Sequence, residues 1–160
     1  ELNTNVSLLL PLHPNPTVRE VLVNILGDHS RAFLVEPLDY QELVAAIKKC
    51  TFLMTDSGGL QEEAPALGKP VLVLRETTER PEAISSGTAK LIGTDSQSIV
   101  DEANLLIHNK KAYESMAQAI NPFGDGKASK RIVEIICDFL GIEEIWIVKL
   151  KINLIDFYLV

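Results

Sequence analysis

Cysteine is scarce: Cys50 and Cys137 are the only two in 160 residues. They stand too far apart for a zinc ribbon or a disulfide scaffold, and such usage suits a reducing compartment, so a cytoplasmic location is expected. Basic charge is also short, with 15 Lys and Arg against 22 Asp and Glu and a net charge of −7. No block of like charge compensates, so no nucleic-acid partner and no anionic membrane partner is expected. No uncharged apolar run reaches the length of a membrane span, and no basic segment opens a signal peptide. An initiator methionine is missing as well. The chain opens on Glu1 and runs almost at once into apolar Val6–Leu10, so a segment upstream is expected.

Familiar catalytic signatures are absent too. There is no HExxH, GxGxxG or GxSxG, and Ser57 has no identifiable histidine partner. Gly124-Asp125-Gly126-Lys127-Ala128-Ser129 comes near a phosphate-binding P-loop. That motif needs Ser or Thr directly after the lysine, where Ala128 stands, and a leading glycine where Asn121 stands. No cluster of metal ligands is visible, so neither a metal nor a cofactor is expected.

What is present is average globular usage, 46% hydrophobic and 23% charged. A chain of this length buries about 70% of its unfolded surface and needs no staple. Short apolar runs alternate with helical patterns, the βαβ rhythm of a parallel sheet, so the fold class is α/β and Rossmann-like. Strands are expected at Val6–Leu12, Ala32–Val35, Phe52–Thr55, Val71–Leu74 and, weakly, Lys90–Ile92. Helices are expected at Thr17–Leu26 behind Pro16, from the Asp39/Glu42 capping box to Lys49, and at Leu60–Leu67 up to Gly68. Three more are expected at Ser98–Ile107, Ala112–Ala119 and Ala128–Leu140. Residues 1–144 thus form one Rossmann-like domain. In 145–160, twelve of 16 residues are apolar, and Val148–Leu154 alternates with period two; this tail reads either as a strand or as a non-native extension.

Ligands of open parallel sheets bind at the carboxyl ends of the strands, beside helix N-termini. Three loops occupy that edge: His13-Pro14-Asn15-Pro16, Asp56-Ser57-Gly58-Gly59, and Arg75 to Glu82. The backbone N–H groups of Ser57, Gly58 and Gly59 suit a diphosphate; the same residues also suit a plain tight turn with Ser57 as N-cap. Glu62 and Glu63 lie about 100° apart around their helix. Only one can face the turn, where a carboxylate would accept from ribose hydroxyls, while the other meets solvent or an arginine. Arg75 to Glu82 holds two arginines, two threonines and three acids. Arg75 or Arg80 can neutralise a phosphate, and Thr77 or Thr78 can add a hydroxyl; mutual ion pairing in solvent is the other reading. His13 can contact a sugar or phosphate, or serve structure alone, while His29 and His108 read as surface residues.

Longer strings are more specific. Thr55-Asp56-Ser57-Gly58-Gly59-Leu60-Gln61-Glu62-Glu63-Ala64-Pro65 continues through Leu67-Gly68-Lys69-Pro70 and Val71 to Arg75, then Thr77-Thr78-Glu79-Arg80-Pro81-Glu82-Ala83 and Gly87-Thr88. Asn121-Pro122-Phe123-Gly124-Asp125-Gly126-Lys127-Ala128-Ser129 follows further on. With His13, Asn15-Pro16, Val18-Arg19-Glu20 and Pro37-Leu38-Asp39-Tyr40, these closely resemble the C-terminal half of the non-hydrolysing UDP-N-acetylglucosamine 2-epimerases, from about His13 to Arg131.

The resemblance implies the second, UDP-holding domain of a two-domain GT-B type fold, with UDP or UDP-N-acetylglucosamine as ligand. It implies diphosphate binding by Ser57, Gly58 and Gly59, ribose binding by Glu63, and Arg80 near the phosphates, with Arg75, Thr78 and Pro37 as further contacts. The uracil would lie against Val35–Leu43; Leu43 stands where members often carry an aromatic that stacks on the base, and Glu76 where they often carry Asp. The family reaction is an isomerisation, interconverting the UDP-linked N-acetylglucosamine and N-acetylmannosamine by eliminating and re-adding UDP. Its N-terminal domain, with the acidic catalytic residues, and a His-Arg-Arg-Glu segment are expected upstream of residue 1. The chain alone is therefore expected to be inactive, its partners being that domain and a second copy of the intact enzyme. His13 is the one candidate here for a catalytic role. Two alternatives remain open: the C-terminal half of a GT-B type UDP-sugar glycosyltransferase, and a stand-alone nucleotide-sugar binding module.

Overall fold

The computed structural model of the chain describes residues 3–141. Strands and helices alternate as β1 (Leu8–Pro11), α1 (Pro16–Leu26), β2 (Ala32–Val35), α2 (Tyr40–Lys49), β3 (Leu53–Thr55), α3 (Gly58–Ala66), β4 (Val71–Val73), α4 (Pro81–Ser85), β5 (Ala89–Leu91), α5 (Ser96–His108), α6 (Lys110–Ala117) and α7 (Ala128–Leu140). Every strand pairing is parallel, as the βαβ rhythm requires. The hydrogen-bonded ladders fall into two groups among the described residues, β1-β2 and β3-β4-β5, rather than one continuous sheet. The expectations for 145–160 lie outside the described residues. No helix among those described is long and apolar enough to cross a membrane.

The two ladders differ in what they bury. β4 is flanked on both sides, and Val71, Leu72 and Val73 are all fully buried, as expected of a central parallel strand covered on both faces. β1 and β2 alternate instead, with Leu9 and Phe33 exposed between half-buried neighbours. The core gathers around β4: Ile47 of α2, Ala64 of α3, Ala83 of α4 and Ala89 of β5, with Leu43, Leu60 and Phe123 packed against it. This cluster fixes the beginnings of α2, α3 and α4 relative to the carboxyl end of β4.

Local chemistry sets the helix starts. Asn15 accepts from the Thr17 N–H with Pro16 in the first helical position. Asp39 and Glu42 form the reciprocal capping box expected from their spacing. Asn109 accepts from the Ala112 N–H, which starts α6 at Lys110 rather than Ala112. Asp95 accepts from both the Ser98 N–H and hydroxyl, so α5 begins at Ser96 rather than Ser98.

Two further boundaries differ from expectation. α3 begins at Gly58, taking both glycines into the helix instead of leaving them in the turn. The segment Arg75–Glu82 is not loop throughout, because Pro81 opens the five-residue α4 and Gly87 leaves it at φ 80°. A single turn this short carries no readable apolar period.

The hydrogen bonds from Ser98, chiefly from its backbone N–H, hold the Asp95 carboxyl below its ordinary value near 3.8. The sign follows: this contribution to stability is complete above the unfolded value and is lost as pH falls through the lowered folded value. Asp95→Asn keeps an acceptor at the cap. The expected result, read by circular dichroism across an acid titration, is an unfolding curve less steep below pH 4 than that of the unsubstituted chain.

Candidate functional site

The carboxyl end of β3 leads into Asp56 and Ser57, then straight into α3. Ser57 is the N-cap residue by position, yet its side chain makes no cap bond. The reading of Ser57 as a capping side chain is therefore corrected. Its backbone N–H is also taken, donating to the Oγ1 of buried Thr55 at 3.0 Å. The opening N–H groups of α3, from Gly58 onward, therefore have no capping side chain and no acceptor inside the helix. They form the positive end of the helix dipole.

Two glycines at this start serve different purposes. A Cβ on Gly58 would run into the Glu79 carboxylate and would lie 3.9 Å from Arg80 Nη2. A Cβ on Gly59 would meet nothing nearer than Ser57 Oγ at 3.9 Å. Gly58 is thus the position where another chain atom approaches the backbone closely, and the approaching group is an anion. Glu79 was not singled out from the sequence; its place over Gly58 depends on a fold of the loop that no spacing encodes.

The loop that carries Glu79 supplies both arginines. Arg75 Nη1 donates to Glu79 Oε2 at 2.6 Å. Arg80 Nε pairs with Glu62 of α3, and its Nη1 donates to the Glu79 carbonyl at 3.2 Å. Mutual ion pairing is therefore present, between partly exposed side chains beside the start of α3. A hydrogen bond from its own backbone, aided by Arg75 and Arg80 against a desolvation cost, holds the Glu79 carboxyl below its ordinary value near 4.5.

Glu62 and Glu63 divide as helical geometry requires. Glu62 is the one that pairs with an arginine. Glu63 turns the other way, and its Oε2 is buried with no hydrogen-bond partner among the described residues. A buried acceptor left empty costs free energy, so its retention calls for an explanation. Thr78, expected as a possible donor, uses its single proton elsewhere: its hydroxyl donates to Gln61 Oε1 at 2.6 Å and accepts from the Arg80 N–H at 3.0 Å. Gln61 itself is 0% exposed. Its position was legible in principle, since it shares the buried side of α3 with Ala64 and Pro65.

The remaining candidates are spread along the same edge. His13 is exposed at the end of β1, and its Nδ1 accepts from the Asn15 N–H at 3.1 Å, which leaves Nε2 as the protonated nitrogen facing out. Pro37 is exposed after β2, beside Glu36, whose carboxylate holds Arg19 of α1 in a two-bond pair. Leu43 is half-buried against the core cluster, whereas Tyr40 at the start of α2 is 67% exposed. A cleft of about 420 Å³ runs beside Arg75 along the ends of β4 and β5. Its charges are already matched, Lys90 to Glu102 at 2.6 Å and Glu76 to the Thr94 N–H at 3.3 Å. No group of three or more potential metal ligands occurs among the described residues.

Fold and site together define a class: a parallel α/β domain of Rossmann-like build whose strand ends present a bare helix N-terminus, two arginines and a partnerless buried carboxylate. The model of the UDP-N-acetylglucosamine 2-epimerase family matches residues 1–137, and the chain belongs to that family. It is 52% identical over 132 residues to the UDP-N-acetylglucosamine 2-epimerase of Salmonella typhimurium, covering 82% of this chain and 35% of that protein. It is also 52% identical over 130 residues to the enzyme of that name from Bacillus subtilis, covering 81% of this chain and 34% of the relative. The chain thus spans about a third of the length of the curated relatives it matches.

Solved structures agree. The S. aureus MnaA–UDP structure superposes with a TM-score of 0.83 at 49% identity, over 89% of this chain and 39% of that one. The Neisseria meningitidis UDP-GlcNAc 2-epimerase bound to UDP-GlcNAc superposes at 0.76 with 48% identity, over 82% of this chain and 36% of that one. The fold implied by the family resemblance, one Rossmann-like half of a GT-B type architecture, is the one found.

The seating of Glu79 generates a test. Glu79→Gln removes the negative charge over Gly58 and leaves its shape. Inorganic pyrophosphate, titrated calorimetrically, is expected to bind the variant several-fold more tightly than the unsubstituted chain.

Proposed function

We propose that this chain holds the UDP moiety of UDP-N-acetylglucosamine and serves as the nucleotide-binding part of a UDP-N-acetylglucosamine 2-epimerase. One observation carries the reading: the Gly58–Gly59 start of α3 has no side-chain cap, Arg80 approaches Gly58, and Oε2 of Glu63 on the same helix is buried with no partner among the described residues. A diphosphate accepts from N–H groups and arginines, and a ribose donates to a carboxylate, so one nucleoside diphosphate would satisfy all three. In this reading Gly58 and Gly59 take the diphosphate through their N–H groups, and Ser57 through its hydroxyl. Arg80, with Arg75, neutralises it, and Glu63 accepts from the ribose hydroxyls. Pro37, exposed Tyr40 and half-buried Leu43 border the base, Leu43 offering an aliphatic wall rather than a stacking ring.

The chemistry asks two things of such a site. Elimination breaks the bond between sugar C1 and the diphosphate oxygen as a proton leaves C2, and the electron pair departs with UDP. Fixed N–H dipoles and arginines stabilise the charge growing on that oxygen without having to reorganise. The same contacts then keep UDP beside the unsaturated sugar for re-addition, a proximity effect. Proton removal and return at C2 fall to carboxylates outside this chain, and His13, exposed with Nε2 unengaged among the described residues, is the one local candidate for a contact to the sugar. The function as a whole therefore needs the larger part of the enzyme, and the chain alone has none of the turnover.

The proposal extends to a homodimer of the intact enzyme in the cytoplasm. Exposed apolar residues on α1 and α7, among them Ile25 at 71% and Phe139 at 87%, support a further covering surface. Cys50 and Cys137 are both free thiols, which supports a reducing compartment.

Calorimetric titration of UDP into the chain is the direct test. Saturable binding is expected, with no conversion of UDP-N-acetylglucosamine. Glu63→Gln is expected to lose about 10-fold or more in affinity, the scale of one charged hydrogen bond. Gly58→Trp, which drives a side chain into the Glu79 seat, should abolish binding. A folded chain that ignores UDP, or a Gly58→Trp variant that binds it normally, would overturn the assignment.

A further inference from the structure

The two elements assigned to the diphosphate, the α3 start and the Arg80 loop, are far apart in sequence and contribute to one small site. Surface ion pairs alone hold such loops poorly, since exposed pairs are weak. A different connection runs beneath them. The Arg80 N–H donates to Thr78 Oγ1 at 3.0 Å, the Thr78 hydroxyl donates to Gln61 Oε1 at 2.6 Å, and Gln61 Nε2 donates to the Ser57 carbonyl at 3.3 Å.

Each link constrains the next. A hydroxyl has one proton, and once Thr78 gives it to Gln61 its oxygen can only accept, as it does from Arg80. That proton also fixes the orientation of the Gln61 amide: the oxygen must face Thr78, so the NH2 group faces Ser57. Gln61 is 0% exposed, so water cannot substitute for either partner. The chain of bonds therefore has a single direction, from the Arg80 backbone to the Ser57 backbone, and it passes under the seat now filled by Glu79.

We infer that Gln61 and Thr78 are positioning residues that lock the Arg80 backbone to the Ser57 turn, so that the two halves of the diphosphate site keep one mutual geometry. The role in binding rests on the UDP reading above; the mechanical coupling does not. Gln61 and Thr78 touch no ligand in this scheme; the Thr78 proton is given to Gln61, and the Gln61 amide bridges Thr78 and Ser57.

The test separates the two. Thr78→Val has the shape of threonine without its hydroxyl, and Thr78→Ser keeps the hydroxyl. Backbone amide exchange, followed by NMR on the labelled chain without ligand, is expected to quicken in Thr78→Val at Arg80 and also at Ser57, whose N–H is held by Thr55 rather than by residue 78. Thr78→Ser should restore both. Unchanged exchange at Ser57, or a serine variant no better than valine, overturns the coupling.

UDP titration is the second arm. Thr78→Val is expected to weaken binding about 10-fold, and the penalty should shrink when Arg80→Ala is already present, as coupled sites require. An equal penalty in both backgrounds overturns the role in binding. Failure of the unsubstituted chain to bind UDP removes the functional reading and that role with it, while the exchange measurement still decides the relay.

Discussion

A helix that begins on two glycines with no capping side-chain hydrogen bond to its first N–H groups carries a partial positive charge there. In this molecule that charge organises its surroundings. The Glu79 carboxylate comes up against Gly58, where a Cβ would otherwise stand. Glu79 in turn draws Arg75 across the loop, and Arg80 is drawn back to Glu62 on the helix itself. Four charged side chains are thus arranged around one helix end, and none of them is a cap in the usual sense. Of the other helices that follow a strand, α1, α2 and α5 are closed by Asn15, by Asp39 with Glu42 and by Asp95, and the five-residue α4 opens on Pro81, which has no N–H to cap. The contrast marks the α3 start as the place where a ligand can do what a side chain does elsewhere.

The scaffold beneath is stiff for an identifiable reason. Val71, Leu72 and Val73 are buried on both faces of β4, and α2, α3 and α4 all rest small or aliphatic residues on that strand. Ala64 of α3 and Ala83 of α4 belong to the same buried cluster, and the Thr78–Gln61 bond ties the loop before α4 to α3. Packing and polar chemistry are therefore one arrangement here. The proposed division of labour follows, with leaving-group stabilisation in this part and proton transfer at C2 in the part of the enzyme beyond it.

Much of this was legible in the sequence, and the boundary is instructive. The order of strands and helices follows from alternating apolar runs, and the capping box follows from the three-residue spacing of Asp39 and Glu42. The different fates of Glu62 and Glu63 follow from the angular step of a helix. Each of these is a local rule. What could not be read depends on contacts across the fold: Glu79 over Gly58, Thr78 giving its proton to Gln61, and Ser57 losing its N–H to Thr55 instead of serving as a side-chain cap. The short α4 escaped notice because five residues hold too little pattern, and the separation of β1-β2 from β3-β4-β5 is a property of tertiary twist that no strand sequence states. The candidate edge itself rests on a topological rule, which a sequence with a clear strand order already supplies. The assignment of donors on that edge needed coordinates.

The carboxylate seated against Gly58 gives the proposed site an unusual dependence on its medium. An arriving diphosphate would not enter an empty positive pocket; it would trade places with an anion the protein already supplies. Dissolved salt screens the incumbent and the newcomer alike. The exchange is anion for anion, so much of the screening cancels between its two sides. Nucleotide retention in such a site should change less with ionic strength than its arginines alone would suggest, and the loop that carries Glu79 should take up the motion that the exchange requires.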